Sequence, residues 1–252
     1  MVGGSPATTS QFPFVVALVE PGWSAVDSQF CGGTLVAPDW VLTAAHCVER
    51  ERDGRPIAPD HVEALMGRDV LDRRGGERIA VDQILVHPDR IDPDYDIDVA
   101  LVHLVRAARA PTVAIAGTDD RGLTRTGTAA TVVGWGVATA GNNRDIDQAD
   151  ASDTLLAATL PILSGPSCVD ATDADALGPS AIELCAGDLL LGGTDACSGD
   201  SGGPLLVPTL AGWVQVGIVS WGDHGCGLPG SPGVYGRVAA AAEWIASTIG
   251  AR

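Results

Sequence analysis

The spacing of the apolar runs limits this chain's fold more than any other feature. Short β-rich stretches recur between turn signals: Phe14 to Val19, Gly33 to Val36, Trp40 to Thr43, Ile79 to Val86, Val99 to Leu104, Thr128 to Val133, Leu205 to Val207 and Trp213 to Trp221. Strands at such intervals predict an all-β barrel or sandwich. Helical periodicity is scarce before Val238 to Ile249, where Val238, Ala241, Ala242, Ile245 and Ile249 share one face and predict a single C-terminal helix. With 252 residues, 46% of them hydrophobic, the chain can bury a substantial core as one large all-β domain or two small ones. A polar crossing over residues 106–127 is the best boundary between two β-rich halves. Residues 138–153 have neither periodicity nor apolar anchors and are predicted to form a mobile surface loop. No internal repeat is legible.

All fifteen basic residues are Arg, from Arg50 to Arg252. Without lysine there is no Schiff base, pyridoxal-phosphate enzyme, phosphate-loop NTPase, kinase or serine/lysine dyad. Hydroxyl, thiol, imidazole and carboxylate chemistry remain. The net charge of −17 argues against nucleic acid and anionic membrane as partners and favours cationic substrates. No apolar run has the 18 or more residues of a membrane span, and Met1 to Pro6 lack the regions of a signal peptide, so a soluble form without its leader is expected. The missing lysine beside abundant Ala, Gly and Arg points to a GC-rich, bacterial coding sequence.

Six cysteines, Cys31, Cys47, Cys168, Cys185, Cys197 and Cys226, contain no Cys-x-x-Cys pair. Zinc ribbons and thioredoxin motifs are thereby disfavoured, and three disulfides in an oxidising compartment are expected, with fifteen connectivities open.

The segment Asp195-Ala196-Cys197-Ser198-Gly199-Asp200-Ser201-Gly202-Gly203-Pro204 is the most informative. Three glycines around one serine imply a sharp turn with unobstructed amide N–H groups, which an oxyanion-binding nucleophile loop requires. A serine hydroxyl needs a base to take its proton, and the base needs a carboxylate to fix its tautomer. His46, in Thr43-Ala44-Ala45-His46-Cys47, and Asp98, in Asp98-Val99-Ala100-Leu101, supply these in chain order.

Eight motifs together resemble the trypsin-like, chymotrypsin-fold serine proteases: Met1-Val2-Gly3-Gly4, Cys31-Gly32-Gly33-Thr34, Leu42 to Cys47, Asp98 to Leu101, Gly134-Trp135-Gly136, Gly199 to Pro204, Ser220-Trp221-Gly222 and Pro232-Gly233-Val234-Tyr235. The resemblance covers nearly the whole chain. It implies a single peptidase domain over 1–252: two six-stranded antiparallel barrels packed face to face, at 14–110 and 123–236, with a C-terminal helix at 238–249. His46 would be the general base, Asp98 its orienting partner and Ser201 the nucleophile, with the N–H groups of Gly199 and Ser201 as the oxyanion hole. The implied disulfides are Cys31 with Cys47, Cys168 with Cys185, and Cys197 with Cys226.

Asp92, Asp94 and Asp96 precede Asp98 at alternating positions and mimic a calcium loop. An EF-hand requires Gly and Glu where Ile97 and His103 stand. Reading Asp96-Ile97 as the motif would place Asp98 at an apolar site, so Asp98 is preferred and the other three form a solvated rim. His61, His87, His103 and His224 are expected to be surface or satisfied core residues. Arg68 stands where calcium-binding relatives carry glutamate, leaving Glu77 as a weak ligand set, so no metal or cofactor is expected.

Asp195, six residues before Ser201, matches the floor of the family's primary pocket. A carboxylate there attracts Arg or Lys through charge-assisted hydrogen bonds. Gly222 and Gly233 match the pocket walls, and Ala196 replaces a serine that helps solvate lysine, so Arg is expected over Lys. Ser220, Trp221 and Gly222 are expected to pair with substrate as an added strand, and Tyr95 to narrow a neighbouring subsite. Asp200 is implied to pair with the N-terminal amine released on activation, a position held here by Met1 where Ile or Val is usual. Self-cleavage is expected first after Arg144, slowed by Asp145 and Asp147. The expected protein is a secreted, monomeric endopeptidase with Arg- or Lys-containing substrates and protein protease inhibitors as partners. A latent zymogen-like form and a non-catalytic binding homologue are the alternatives.

Overall fold

A computed structural model describes residues 1–50, 52–91, 97–142, 150–172, 182–222 and 224–250. Tyr95, Asp92, Asp94, Asp96, Arg144, Asp145 and Asp147 therefore lie outside the described residues.

After a two-residue strand β1 (Ser5–Pro6), the first barrel comprises β2 (Val15–Val19), β3 (Gln29–Ala37), β4 (Trp40–Thr43), β5 (Glu63–Met66), β6 (Glu77–Val86) and β7 (Ala100–Leu104). These close in the order β2-β3-β4-β7-β6-β5, every pairing antiparallel. Val15 to Val19 are buried throughout, and β4 and β7 likewise bury every residue, so these three strands are covered on both faces, whereas β6 has exposed positions between buried ones. β8 (Ala114–Ile115) lies on the way to the second half, formed by β9 (Ala129–Gly134), β10 (Gly141–Asn142), β11 (Leu156–Pro161), β12 (Glu183–Ala186), β13 (Pro204–Thr209), β14 (Gly212–Trp221), β15 (Gly225–Cys226) and β16 (Gly233–Arg237).

The main path of the second half runs β1-β11-β9-β13-β14-β16-β12. An isolated bridge between Ile162, just past β11, and Ala186 on β12 brings the ends together, and Leu163 N–H donates to Cys185 O at 2.8 Å. Six strands thus curl into a second barrel whose seam is one bridge wide. The all-β architecture with two barrels and a C-terminal helix is the expected one.

Helix α3 (Val238–Gly250) follows β16 directly and buries Val238, Ala241 and Ile245. These pack with Trp40, Leu42, Ile97, Val99, Leu101 and Ile218, so the helix caps a core that both barrels share. The sequence pattern predicted no other helix, yet a one-turn α1 (Ala25–Ser28) and an eight-residue α2 (Gly165–Thr172) also form. α2 has the sequence Gly-Pro-Ser-Cys-Val-Asp-Ala-Thr, without an apolar stripe, and is fastened by Cys168 to Cys185. The described flanks of the expected surface loop at 138–153 are pinned: β10 pairs with β15, and Val137 bridges Ala151.

Candidate active site

His46 lies in a 3₁₀ turn, Ala45–Cys47, at the end of β4. Buried Ala44, Ala45 and Val48 anchor the turn, and the Cys31–Cys47 disulfide ties it to β3. Asp98 sits between Ile97 and Val99, both buried, so alternation turns its side chain away from the shared core toward His46. Its Oδ2 lies 2.7 Å from His46 Nδ1, and its Oδ1 accepts from the His46 backbone N–H at 3.0 Å. Ser220 Oγ donates to the same Oδ2 at 2.5 Å. Burial alone would raise the Asp98 pKa. The hydrogen bond and charge of His46, with the Ser220 hydroxyl and the His46 amide, outweigh it and bring the carboxyl down to about 2. Ser220, expected only to bind substrate, thus also holds the carboxylate.

Ser201 is carried by a loop that only glycine can shape. Gly199 and Gly202 have φ of +91° and +78°. A Cβ on Gly202 would fall 2.2 Å from Thr43 Oγ1, and one on Gly32 would fall 3.0 Å from the Gly203 Cα. Gly32 N–H donates to Ser201 O at 2.7 Å, so the two barrels meet backbone to backbone at the nucleophile loop. Asp200, Gly202 and Gly203 N–H groups all have backbone acceptors. Those of Gly199 and Ser201 have none among the described residues, which leaves two donors free on one turn. Gln29 Nε2 donates to Gly199 O at 2.8 Å across the barrel interface, a brace that no sequence motif signalled. No hydrogen bond joins Ser201 to His46 in this structure; His46 Nε2 lies 3.8 Å from Cys47 Sγ. Cys31, His46 and Cys47 converge as a metal-binding set would, but the two sulfurs are spent in the disulfide.

Asp200 is fully buried in a cradle that explains Gly134-Trp135-Gly136. A Cβ on Gly134 would fall 2.2 Å from Asp200 Oδ1, and one on Gly136 2.6 Å from its Cγ. The carboxylate accepts from Gly136 N–H (2.8 Å) and Cys197 N–H (3.0 Å), and pairs with the Met1 α-amine at 2.9 Å. That amine also donates to the carbonyls of Gly136 (2.8 Å) and Val137 (2.5 Å).

Beside Ser201 opens a cavity of about 180 Å³ lined by Asp195, Ala196, Ser220, Trp221, Gly222 and Gly233. The Cys197–Cys226 disulfide also borders it. A Cβ on Gly233 would strike Asp195 Oδ1 at 2.6 Å, whereas one on Gly222 would meet nothing within 4 Å. Trp221 is part-exposed, with its Nε1 on Glu183 Oε1 at 2.9 Å. Asp195 is 3% exposed; its Oδ2 accepts from Gly227 N–H at 3.1 Å, while Oδ1 has no hydrogen-bond partner among the described residues. Burial drives its pKa up to about 7, with the Asp200 charge adding to the rise against the amides of Gly227 and Ala196 and the N-terminal charge. The Tyr235 hydroxyl, also buried and without a hydrogen-bond partner among the described residues, would lie 3.1 Å from the same Cβ on Gly233.

All six cysteines pair as the resemblance implied: Cys31–Cys47, Cys168–Cys185 and Cys197–Cys226. His103 is clamped between Asp82, 2.5 Å from Nδ1, and Asp39, 3.5 Å from Nε2. Its carboxylate neighbours are invisible to local spacing.

Residues 1–245 match the trypsin family model. The chain is 37% identical over 251 residues to a trypsin of Saccharopolyspora erythraea, covering 100% of this chain and 99% of that one. It is 36% identical over 258 residues to a trypsin-like protease of Streptomyces glaucescens, covering 100% of this chain and 83% of the relative. Mouse serine protease 56 is 35% identical over the whole chain, which spans 39% of that longer protein. With the barrels, the Asp98–His46 pair and the Ser201 loop in place, these matches establish that the chain belongs to the trypsin family of serine proteases.

Proposed function

We propose that the chain is a serine endopeptidase that hydrolyses peptide bonds after Arg, and secondarily after Lys, through an acyl-enzyme. The observation that supports the specificity is the buried Asp195 carboxylate, with one oxygen unpartnered among the described residues, in a cavity whose other described lining residues are uncharged. A buried polar atom without a partner is costly, and a substrate guanidinium supplies what is missing. Ala196 lines the same cavity and offers no side-chain acceptor, so Arg, which forks directly onto a carboxylate, is favoured over Lys.

In the chemistry, His46 takes the Ser201 proton as Oγ attacks the scissile carbonyl. Asp98 holds the imidazole by Nδ1, so that Nε2 is the basic nitrogen, and stabilises the imidazolium. The oxyanion forms against the two free N–H groups of Gly199 and Ser201. Collapse expels the amine with the proton from His46, and water then hydrolyses the ester by the same route. The His46–Ser201 contact tightens when substrate fills the cleft, as is common for catalytic hydrogen bonds that are loose in the free enzyme. Tyr95 as a subsite residue and Arg144 as first self-cleavage site belong to the same proposal. Three disulfides support an extracellular setting. Among the described residues no helix is long and apolar enough to cross a membrane.

Hydrolysis of matched Arg, Lys and Phe peptides, with Ser201→Ala as control, tests the reading. Cleavage in the order Arg, Lys, Phe that vanishes in the variant is expected. Equal cleavage of Phe, or activity surviving in Ser201→Ala, overturns it.

A further inference from the structure

Behind the Asp98 carboxylate stands a second ion pair that no motif of the sequence announces. Arg90, in the turn Pro88–Ile91, reaches Glu49 with both arms: Nη2 to Oε1 at 2.7 Å and Nε to Oε2 at 3.2 Å. The same Nε lies 3.8 Å from Asp98 Oδ1. The three side chains are 17%, 13% and 11% exposed, so solvent screens them weakly. Arg90 has other partners besides these. Among the described residues, the charged and polar groups that face Asp98 are His46, Ser220 and Arg90, with Glu49 one step behind.

The guanidinium stays protonated throughout the working range, so it is a fixed positive charge beside the carboxylate that has to stabilise the His46 imidazolium. Glu49, bonded to two nitrogens of that guanidinium, is a counter-charge that weakens it. We propose that Arg90 and Glu49 are positioning residues that set the pH range of catalysis: Arg90 competes with protonated His46 for the charge of Asp98, and Glu49 moderates that competition. The proposal rests on the reading of Asp98, His46 and Ser201 given above.

The two residues must act with opposite sign. Without Arg90 the imidazolium has Asp98 to itself, so the acid limb of the reaction moves to higher pH. Without Glu49 the guanidinium acts at full strength and the limb moves to lower pH. A residue that merely supports packing would lower the rate at every pH and leave the limb in place.

The test uses a probe that ignores the Asp195 pocket. Phenylmethanesulfonyl fluoride is neutral; Ser201 Oγ bonds to its sulfur as fluoride leaves, and the hydroxyl proton passes to His46. Inactivation rates of the chain are measured from pH 4 to 9 for wild type, Arg90→Gln, Glu49→Gln and the double variant. The expected result is a limb displaced upward by about half to one pH unit in Arg90→Gln and downward by a similar amount in Glu49→Gln, with the double variant near wild type. Should Arg90→Gln fail to fold, Arg90→Lys, which keeps the charge, is expected to leave the limb in place while Glu49→Gln still lowers it. Limbs that do not move, or that move in the same direction, overturn the proposal while the triad reading stands. A wild-type chain that the reagent does not modify, or whose rate shows no acid limb, overturns the triad reading and the proposal with it.

Discussion

Asp195 is 3% exposed and its Oδ1 has no hydrogen-bond partner among the described residues, which underlies the cation site proposed above. Its pKa, pushed up to about 7 by burial, fixes a sign. Only the ionised acid attracts a guanidinium or amidinium, so on the proposed reading affinity for benzamidine is expected to be full above about pH 7 and to fall about tenfold for each unit below it. Calorimetric titration between pH 5 and 9 measures this, and Asp195→Asn is expected to bind weakly with no such dependence. Asp98 behaves in the opposite sense. Its folded-state pKa, lowered to about 2, contributes stability that is present above the ordinary value near 4 and lost as pH falls toward 2. Urea midpoints at pH 5 and pH 2 are expected to show about 2 kcal/mol less acid destabilisation in Asp98→Asn than in wild type. Both aspartates were legible in the sequence from their motifs. Their environments were not, because Ser220, Gly227 and Tyr235 approach from elsewhere in the chain.

Elements differ in how much of themselves they display. β2, β4, β7 and β14 are dense in Val, Leu and Ile and stand out as strands. β11 (Leu156–Pro161), β12 (Glu183–Ala186) and β16 (Gly233–Arg237) do not, because small residues, Pro and Gly replace the β-branched ones. β16 carries Gly233 where a Cβ would strike Asp195 Oδ1, so a close contact overrides propensity. The loop after β5 shows another such substitution. Arg68 donates to Gly75 O from Nε (3.1 Å) and Nη2 (2.7 Å), and to Leu71 O from Nη1 (3.2 Å). One guanidinium thus gathers the carbonyls of a loop turned by Gly67, Gly75 and Gly76, all at positive φ. Arg68→Ala is expected to lower stability by about 1 kcal/mol and to hasten proteolysis between residues 67 and 76, with added calcium restoring neither. Thermal melts and limited proteolysis followed by mass spectrometry read both effects, and rescue by calcium would mean that the loop binds a cation unaided.

At the scale of the whole molecule, the order of His46, Asp98 and Ser201 along the chain was readable, while the close seating of the Ser201 loop on the first barrel depends on Gly32 and Gly202. The N-terminus couples to that loop from the far side of Asp200. Its amine, fully buried, neutralises a carboxylate held in the same turn as Gly199 and Ser201. The Met1 side chain meanwhile fills the second core, among Leu156, Ala158 and Leu160. Charge and packing at this residue are therefore separable. Met1→Ile, with its amine free, is expected to keep activity and to change stability by less than about 1.5 kcal/mol. Acetylation of the amine, or one residue added ahead of it, leaves Asp200 buried without its cation, a loss on the order of 3 to 5 kcal/mol at the turn. Because that turn also carries the N–H groups of Gly199 and Ser201, proposed above as the oxyanion donors, hydrolysis is expected to fall at least a hundredfold while circular dichroism still reports a folded β protein. Full activity with a blocked amine would show that Gly136, Cys197 and their amides hold Asp200 and the Ser201 loop on their own.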